Sequence, residues 1–138
     1  MTYLLDTCAV SELRKPGPNA GLTHFLTQAH GDTLYLSAVT VGDLTKGVES
    51  LPDGRRKTEL GAWLERLMHD YIDRVLPIDG ETAQLWGCLT ARAQGGGIII
   101  PALDGLIAAT ALRHDLTVIT RNVGDFRSTG ARVENPWR

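Results

Sequence analysis

The chain has 138 residues, 14 basic and 16 acidic, with a formal charge of −2 at pH 7. It therefore offers no global field to draw in a polyanion, and any nucleic-acid contact has to come from local patches. Cys8 and Cys88 lie far apart without CxxC or Cys/His spacing, which argues against both a disulfide framework and a zinc site.

Length predicts one domain over residues 1–138 with a sizeable core. The opening Met1-Thr2-Tyr3-Leu4-Leu5-Asp6 has no basic region followed by a long apolar one, and no later segment approaches a membrane span. The expectation is a soluble, cytoplasmic protein with no membrane contact.

Thr2-Tyr3-Leu4-Leu5 reads as a buried strand that stops at Asp6-Thr7-Cys8. Asp6 there is either a turn or helix cap, because Asp and Thr bond nearby backbone N–H groups, or a ligand at a strand end. Cys8 is expected to be open to thiol reagents. Asn19 is expected to cap a helix carrying Leu22, Phe25, Leu26 and Ala29 on one face, ended by Gly31-Asp32. Thr33-Leu34-Tyr35-Leu36 is a second strand, and Ser37 then caps a helix whose apolar stripe is Val41, Leu44, Val48 and Leu51. Asp43 falls beside that stripe, near the helix start and above a strand end.

Pro52-Asp53-Gly54 is a turn, and Arg55-Arg56-Lys57 is the one dense basic run. Such a run is usually a solvated face; here it is also the leading candidate for phosphate contacts, with Arg14, Lys15 and Arg121 as further candidates. The next helix is strongly amphipathic, with Leu60, Trp63, Leu64, Leu67, Met68 and Tyr71 on one stripe. Pro77 makes Arg74-Val75-Leu76-Pro77-Ile78 a short or edge strand. Asp79 is a cap for a helix carrying Ala83, Trp86 and Leu89, and Gln94-Gly95-Gly96-Gly97 predicts a mobile loop leading towards Asp104.

Pro101 suits a first helical turn, with Leu103, Leu106, Ile107, Thr110 and Ala111 at helical spacing after it. Asp104 therefore lies where a helix dipole favours a carboxylate. Leu116-Thr117-Val118-Ile119 is a β-branched run that empties into Thr120-Arg121-Asn122-Val123-Gly124-Asp125-Phe126. Ala131-Arg132-Val133 is a last short strand, followed by the tail Asn135-Pro136-Trp137-Arg138.

Strands alternating with helices predict an α/β fold, a mainly parallel sheet with helices on both faces. Binding crevices in such sheets lie beyond the strand carboxyl ends, and Asp6, Asp43, Asp104 and Asn122/Asp125 all map to that edge. Two carboxylates about 4 Å apart repel by roughly 4 kcal/mol at an effective dielectric of 20, so the cluster calls for a cation. Oxygen ligands without His or Cys favour Mg²⁺ or Mn²⁺, and the matching chemistry is metal-assisted phosphodiester hydrolysis. His24, His30, His69 and His114 fall on helices or helix ends and read as surface or capping residues.

The motifs Tyr3-Leu4-Leu5-Asp6-Thr7, Ser37-Ala38-Val39-Thr40-Val41-Gly42-Asp43-Leu44 with Lys46-Gly47, Asp104-Gly105-Leu106-Ile107-Ala108-Ala109-Thr110-Ala111, Thr120-Arg121-Asn122-Val123-Gly124-Asp125-Phe126 and Asn135-Pro136-Trp137 together resemble the PIN-domain ribonucleases of the VapC toxin family, nearly end to end. The resemblance implies a three-layer α/β/α sandwich and a metal-dependent endoribonuclease, the toxin of a bacterial toxin-antitoxin pair. It also implies a homodimer, and a cognate antitoxin whose tail blocks the active site in a toxin-antitoxin hetero-oligomer. Carried over by residue, Asp6, Asp43, Asp104 and Asp125 are the acidic metal ligands, with Thr7, Thr120 and Asn122 as supporting hydrogen-bonders.

Three positions depart from the family pattern. It usually has Asn at Cys8 and Glu at Asp43, and it often places an acid at Asn122. Those departures leave room for a catalytically impaired RNA- or partner-binding protein. An aspartyl-phosphate phosphotransferase is the more distant alternative, lacking the second Asp two residues after the first, where this chain has Cys8.

Overall fold

The structure is a computed structural model and describes residues 1–138. Five strands, β1 (Tyr3–Leu5), β2 (Leu34–Ser37), β3 (Val75–Leu76), β4 (Thr117–Ile119) and β5 (Val133–Glu134), form a wholly parallel sheet in the order β3-β2-β1-β4-β5. Seven α-helices accompany it: α1 (Thr7–Leu13), α2 (Ala20–Gln28), α3 (Ala38–Glu49), α4 (Arg55–Asp70), α5 (Gly80–Gly95), α6 (Ala102–His114) and α7 (Val123–Phe126).

Parallel strands covered on both faces read as continuous apolar runs, because consecutive side chains enter opposite cores. Here Leu4 and Val118 pack with Leu89, Ile107 and Phe126 from α5, α6 and α7. Their neighbours Leu5 and Ile119 pack on the other side with Val10 and Leu22 from α1 and α2. The result is the expected three-layer α/β/α sandwich. From β1 the chain moves outward to β2 and β3, then returns to place β4 on the other side of β1, so the order reverses between β1 and β4. Ligands in open α/β sheets bind at this switch point, outside the strand carboxyl ends. Asp6 follows β1 there and Thr120 follows β4.

Several caps match the sequence reading. Asn19 Oδ1 accepts from the N–H groups of Gly21 and Leu22, Ser37 Oγ from Val39 and Asp79 Oδ1 from Thr82. Elsewhere the elements differ. Helix α1 was not expected, because seven residues following directly on a strand gave too short a periodic pattern; the Asp6 side chain caps it. On α5 the buried residues are Thr82, Leu89 and Ala93, while Ala83 is exposed. Leu103 on α6 is also exposed. The last strand begins at Val133, two residues later than expected.

The glycine-rich stretch is helix end and cap instead of an irregular loop. Helix α5 continues through Gly95, and Gly97 takes φ of 81°. Its N–H reaches Gln94 O at 3.0 Å while Ile98 N–H reaches Ala93 O at 2.8 Å. This is the paired bonding of a Schellman cap, which needs a left-handed residue at the position Gly97 fills. Helix α4 buries no residue completely; Trp63, Leu64, Leu67 and Tyr71 rest half-buried on the Leu5/Leu36 core. The tail also packs: Trp137 joins that core, and Asn19 exchanges hydrogen bonds with Arg138.

Candidate active site

The first carboxylate is set by local chain geometry. Extended backbone at Asp6 ends β1 and starts α1, and its Oδ1 accepts from Ala9 N at 2.8 Å. Asp6 is thus a cap, as one reading of the sequence required, but it is also only 4 % exposed and lines the pocket at the switch point. Cys8 Sγ stands 3.0 and 3.2 Å from the two carboxylate oxygens, so its single S–H can donate to either. The thiol supplies a donor but not the amide's matching pair. Burial pushes the Asp6 carboxyl up, against hydrogen bonds from Thr120, Cys8 and two backbone groups. Burial, then the charge of Asp6, pushes the Cys8 thiol up to about 11.

Around this carboxylate the pocket is lined by Thr7, Ser11, Asp43, Asp104 and Asn122, with Leu103 and Ile107 as its apolar wall. Asp43 comes from the second turn of α3 and Asp104 from the first turn of α6. Asn122 comes from the turn after β4, where its N–H donates to the fully buried Thr120 Oγ1 at 2.9 Å. A buried bond between Ser37 Oγ and Thr110 Oγ1, 3.0 Å long, ties the start of α3 to α6 and so fixes the two helices that carry Asp43 and Asp104. Thr7 Oγ1 lies 3.4 Å from Thr40 Oγ1, joining α1 to α3.

The surroundings of Asp104 bear on the two readings of that residue. A carboxylate that only complements a helix N-terminus is held charged by the dipole, which pulls its pKa down. Asp104 is instead pushed up, first by burial and then by Asp125, Asp6 and Asp43. Three like charges therefore act on it from three other elements. Asp125 is exposed on α7 and reaches Asp104 through this field, whereas the residue lining the pocket wall from that segment is Asn122.

No three His, Cys, Asp or Glu side chains close into a compact ligand set. The donors that share the pocket are hard carboxylate oxygens, and they fit a Mg²⁺-type ion. Such an ion is bound through one or two carboxylates and completes its shell with water and substrate phosphate. Asp6 is buried and its charge acts on the half-buried Asp104; Asp43, from the same pocket, and the exposed Asp125 act on Asp104 as well.

The basic candidates divide. Arg55 pairs with Glu59 at 2.9 Å, Lys57 with Asp53 at 3.4 Å and Glu49 at 4.0 Å, and Lys15 with Glu12 at 2.9 Å. Arg14, Arg56 and Arg121 take part in no ion pair. Arg14 and Arg56 line a second cleft that shares Thr7, Ser11 and Asp43 with the acidic pocket. The sequence reading missed Ser11, one helical turn after Thr7, because it missed α1; an Asp cap directly before Thr7, with Ser11 four residues further on, was the available signal.

Residues 3–131 match the sequence profile of the PIN domain family. The chain is 39% identical over 135 residues to Toxin FitB of Neisseria gonorrhoeae, covering 97% of each protein. It is 37% identical to VapC ribonuclease Y4jK of Sinorhizobium fredii, covering 97% of this chain and 96% of that one. Among solved structures, the crystal structure of FitAcB from Neisseria gonorrhoeae superposes with a TM-score of 0.93 at 38% identity, covering 99% of both chains. The structure of FitAB bound to an IR36 DNA fragment gives 0.92 at 36%, covering 99% of this chain and 96% of that one. With the parallel sheet, the switch-point pocket and these similarities in hand, the chain belongs to the PIN domain family.

Proposed function

We propose that this protein is a metal-dependent endoribonuclease and the toxin of a toxin-antitoxin pair. The observation that carries the reading is the convergence of Asp6, Asp43 and Asp104 on one pocket, where Asp104 is pushed up first by burial and then by the charges of Asp125, Asp6 and Asp43. Metal-free, that crowding is unfavourable, and a divalent cation is what relieves it. Asp6 and Asp104 would hold Mg²⁺ or Mn²⁺, with Asp43, one methylene shorter than Glu, and Asp125 adding negative charge beside them. The bound cation supplies neutralisation of the phosphodiester and activation of water for its attack.

The chain's own groups do the rest. Thr120 and Cys8 orient the Asp6 carboxylate by donating to it, and Ala9 N–H fixes its other lone pair. Asn122 presents an amide to the pocket, suited to a phosphate or base edge. Leu103 and Ile107 give the pocket one apolar side. The toxin reading rests on the relatives named FitB toxin and VapC ribonuclease and on the FitAB complexes. The partner is accordingly a cognate antitoxin, in a hetero-oligomer built on a toxin homodimer. No helix is long and apolar enough to cross a membrane, which fits action on cytoplasmic RNA. Purified protein should cut a mixed RNA pool with Mg²⁺ or Mn²⁺ and stop cutting after exhaustive chelation. Undiminished cleavage without metal would overturn the metal-dependent reading. A binding protein that no longer cuts is the second reading, favoured by the Cys8 thiol on Asp6 where the family carries an amide; metal-loaded protein that binds RNA but leaves it intact would establish it.

A further inference from the structure

We propose that the cleft running from Asp43 along α1 and α4 is a subsite for single-stranded RNA flanking the cleaved bond, with Arg14 and Arg56 on its phosphates and Trp63 beneath a base. The inference rests on the nuclease reading and specifies where its substrate lies.

The acidic pocket does not end at Asp43. Thr7, Ser11 and Asp43 also line the neighbouring cleft, whose further walls include Arg14, Arg56 and Trp63. Arg14, Arg56 and Trp63 recur in a third depression that adds Lys15 and Arg66. A chain whose phosphodiester sits at the carboxylates thus has a continuous path leading away from them. Along it the charge changes sign, from the carboxylates to guanidinium groups.

Those guanidiniums are available. The basic neighbours Arg55, Lys57 and Lys15 are engaged by Glu59, Asp53 and Glu12, whereas Arg14, Arg56 and Arg66 form no ion pair. All three are exposed. Trp63 is held half-buried against the core and lines both stretches of the path, so its ring is positioned before any ligand arrives. Cations that track a backbone beside an aromatic platform are the recognition set for single strands, since every base has a face to stack. The apolar part of the floor would also suit an amphipathic protein segment. The unpaired arginines and the continuity with the carboxylates favour a nucleic acid.

The test measures binding of a short mixed-sequence single-stranded RNA in chelator, so that binding is read without cleavage, together with cleavage in Mn²⁺. On a single strand each neutralised phosphate contributes about 0.7 to the slope of log K against log salt. Arg14→Ala/Arg56→Ala should therefore bind more weakly and lose roughly 1.4 from the slope of the parent. RNA should quench the parent's tryptophan fluorescence, and Trp63→Phe, which keeps an aromatic ring on the core, should remove most of that quenching. If the parent binds and cuts RNA while slope and quenching are unchanged in these variants, the subsite is overturned and the nuclease reading stands. If the parent neither binds nor cuts, both fall. If the arginine variant binds RNA as the parent does but no longer associates with its co-expressed antitoxin, the cleft is a protein-docking surface and the proposal is wrong.

Discussion

Cys8 shows how a single side chain changes its chemistry by where it lies. Its position two residues after Asp6 suggested an accessible, reactive thiol. The structure instead turns it onto the Asp6 carboxylate, where burial and that charge push it up to about 11. The thiolate is the reactive form, so iodoacetamide at neutral pH should modify the exposed Cys88 and leave Cys8 untouched. A Cys88→Ser protein, followed by mass spectrometry, should take up label only as the pH approaches 11; rapid labelling at neutral pH would contradict the contact. Asp104 makes a second prediction at this scale. Its carboxyl is raised in the folded protein, which therefore binds that proton more tightly than the unfolded chain does. Stability from this group is fully present below the unfolded value near 4 and is lost as pH rises through the folded one. In chemical denaturation without metal, Asp104→Asn should then be at least as stable as the parent at pH 7, and its advantage should shrink as the pH falls into the carboxylate range. A variant that is less stable at pH 7 and gains on acidification would show that Asp104 is only a helix-end charge. The placing of Asp6 and Asp104 at one edge of the sheet was legible because each interrupts an apolar pattern where a strand or helix begins or ends. The field of Asp125 on Asp104 was not, since it acts between elements far apart in the chain.

At the scale of elements, strong periodicity and cap chemistry carried most of the reading. Asn19, Ser37 and Asp79 cap α2, α3 and α5 as their side chains imply. Helix α4 announces itself by its stripe. What escaped was short or tertiary in origin: α1 and α7 have too few residues to show a period, and the face of α5 is decided by Thr82 and Ala93, which carry little hydrophobic signal. The docked tail belongs to the same class, because nothing local to Asn135-Pro136-Trp137-Arg138 requires it to meet α2. That contact rests on Gly21, where an added Cβ would stand 2.2 Å from Pro136 O and 2.8 Å from Arg138 N. Backbone atoms on a docked segment cannot yield as a side-chain tip does. Gly21→Ala should cost about 1–3 kcal/mol, the usual range for overpacking, and should release Trp137, seen as a lower melting temperature with a red-shifted tryptophan emission. Unchanged emission and stability would mean that the tail does not hold this position.

For the whole molecule, the parallel order β3-β2-β1-β4-β5 brings carboxylates from four separate stretches of sequence to one edge. The alternation of strands and helices made that edge predictable. The division of the basic residues into paired and free sets was not predictable, because it depends on which helix faces which cleft. The central claim is that the shared pocket is a cation site held under electrostatic stress until it is filled. Thermal denaturation of the parent and Asp104→Asn, each with and without Mn²⁺, tests it most directly. Removing one charge relieves the repulsion, so without metal the variant should melt at or above the parent. Added Mn²⁺ binds only the folded state and should raise the parent's melting temperature more than the variant's. A variant that melts lower without metal and responds to Mn²⁺ as the parent does would contradict the account.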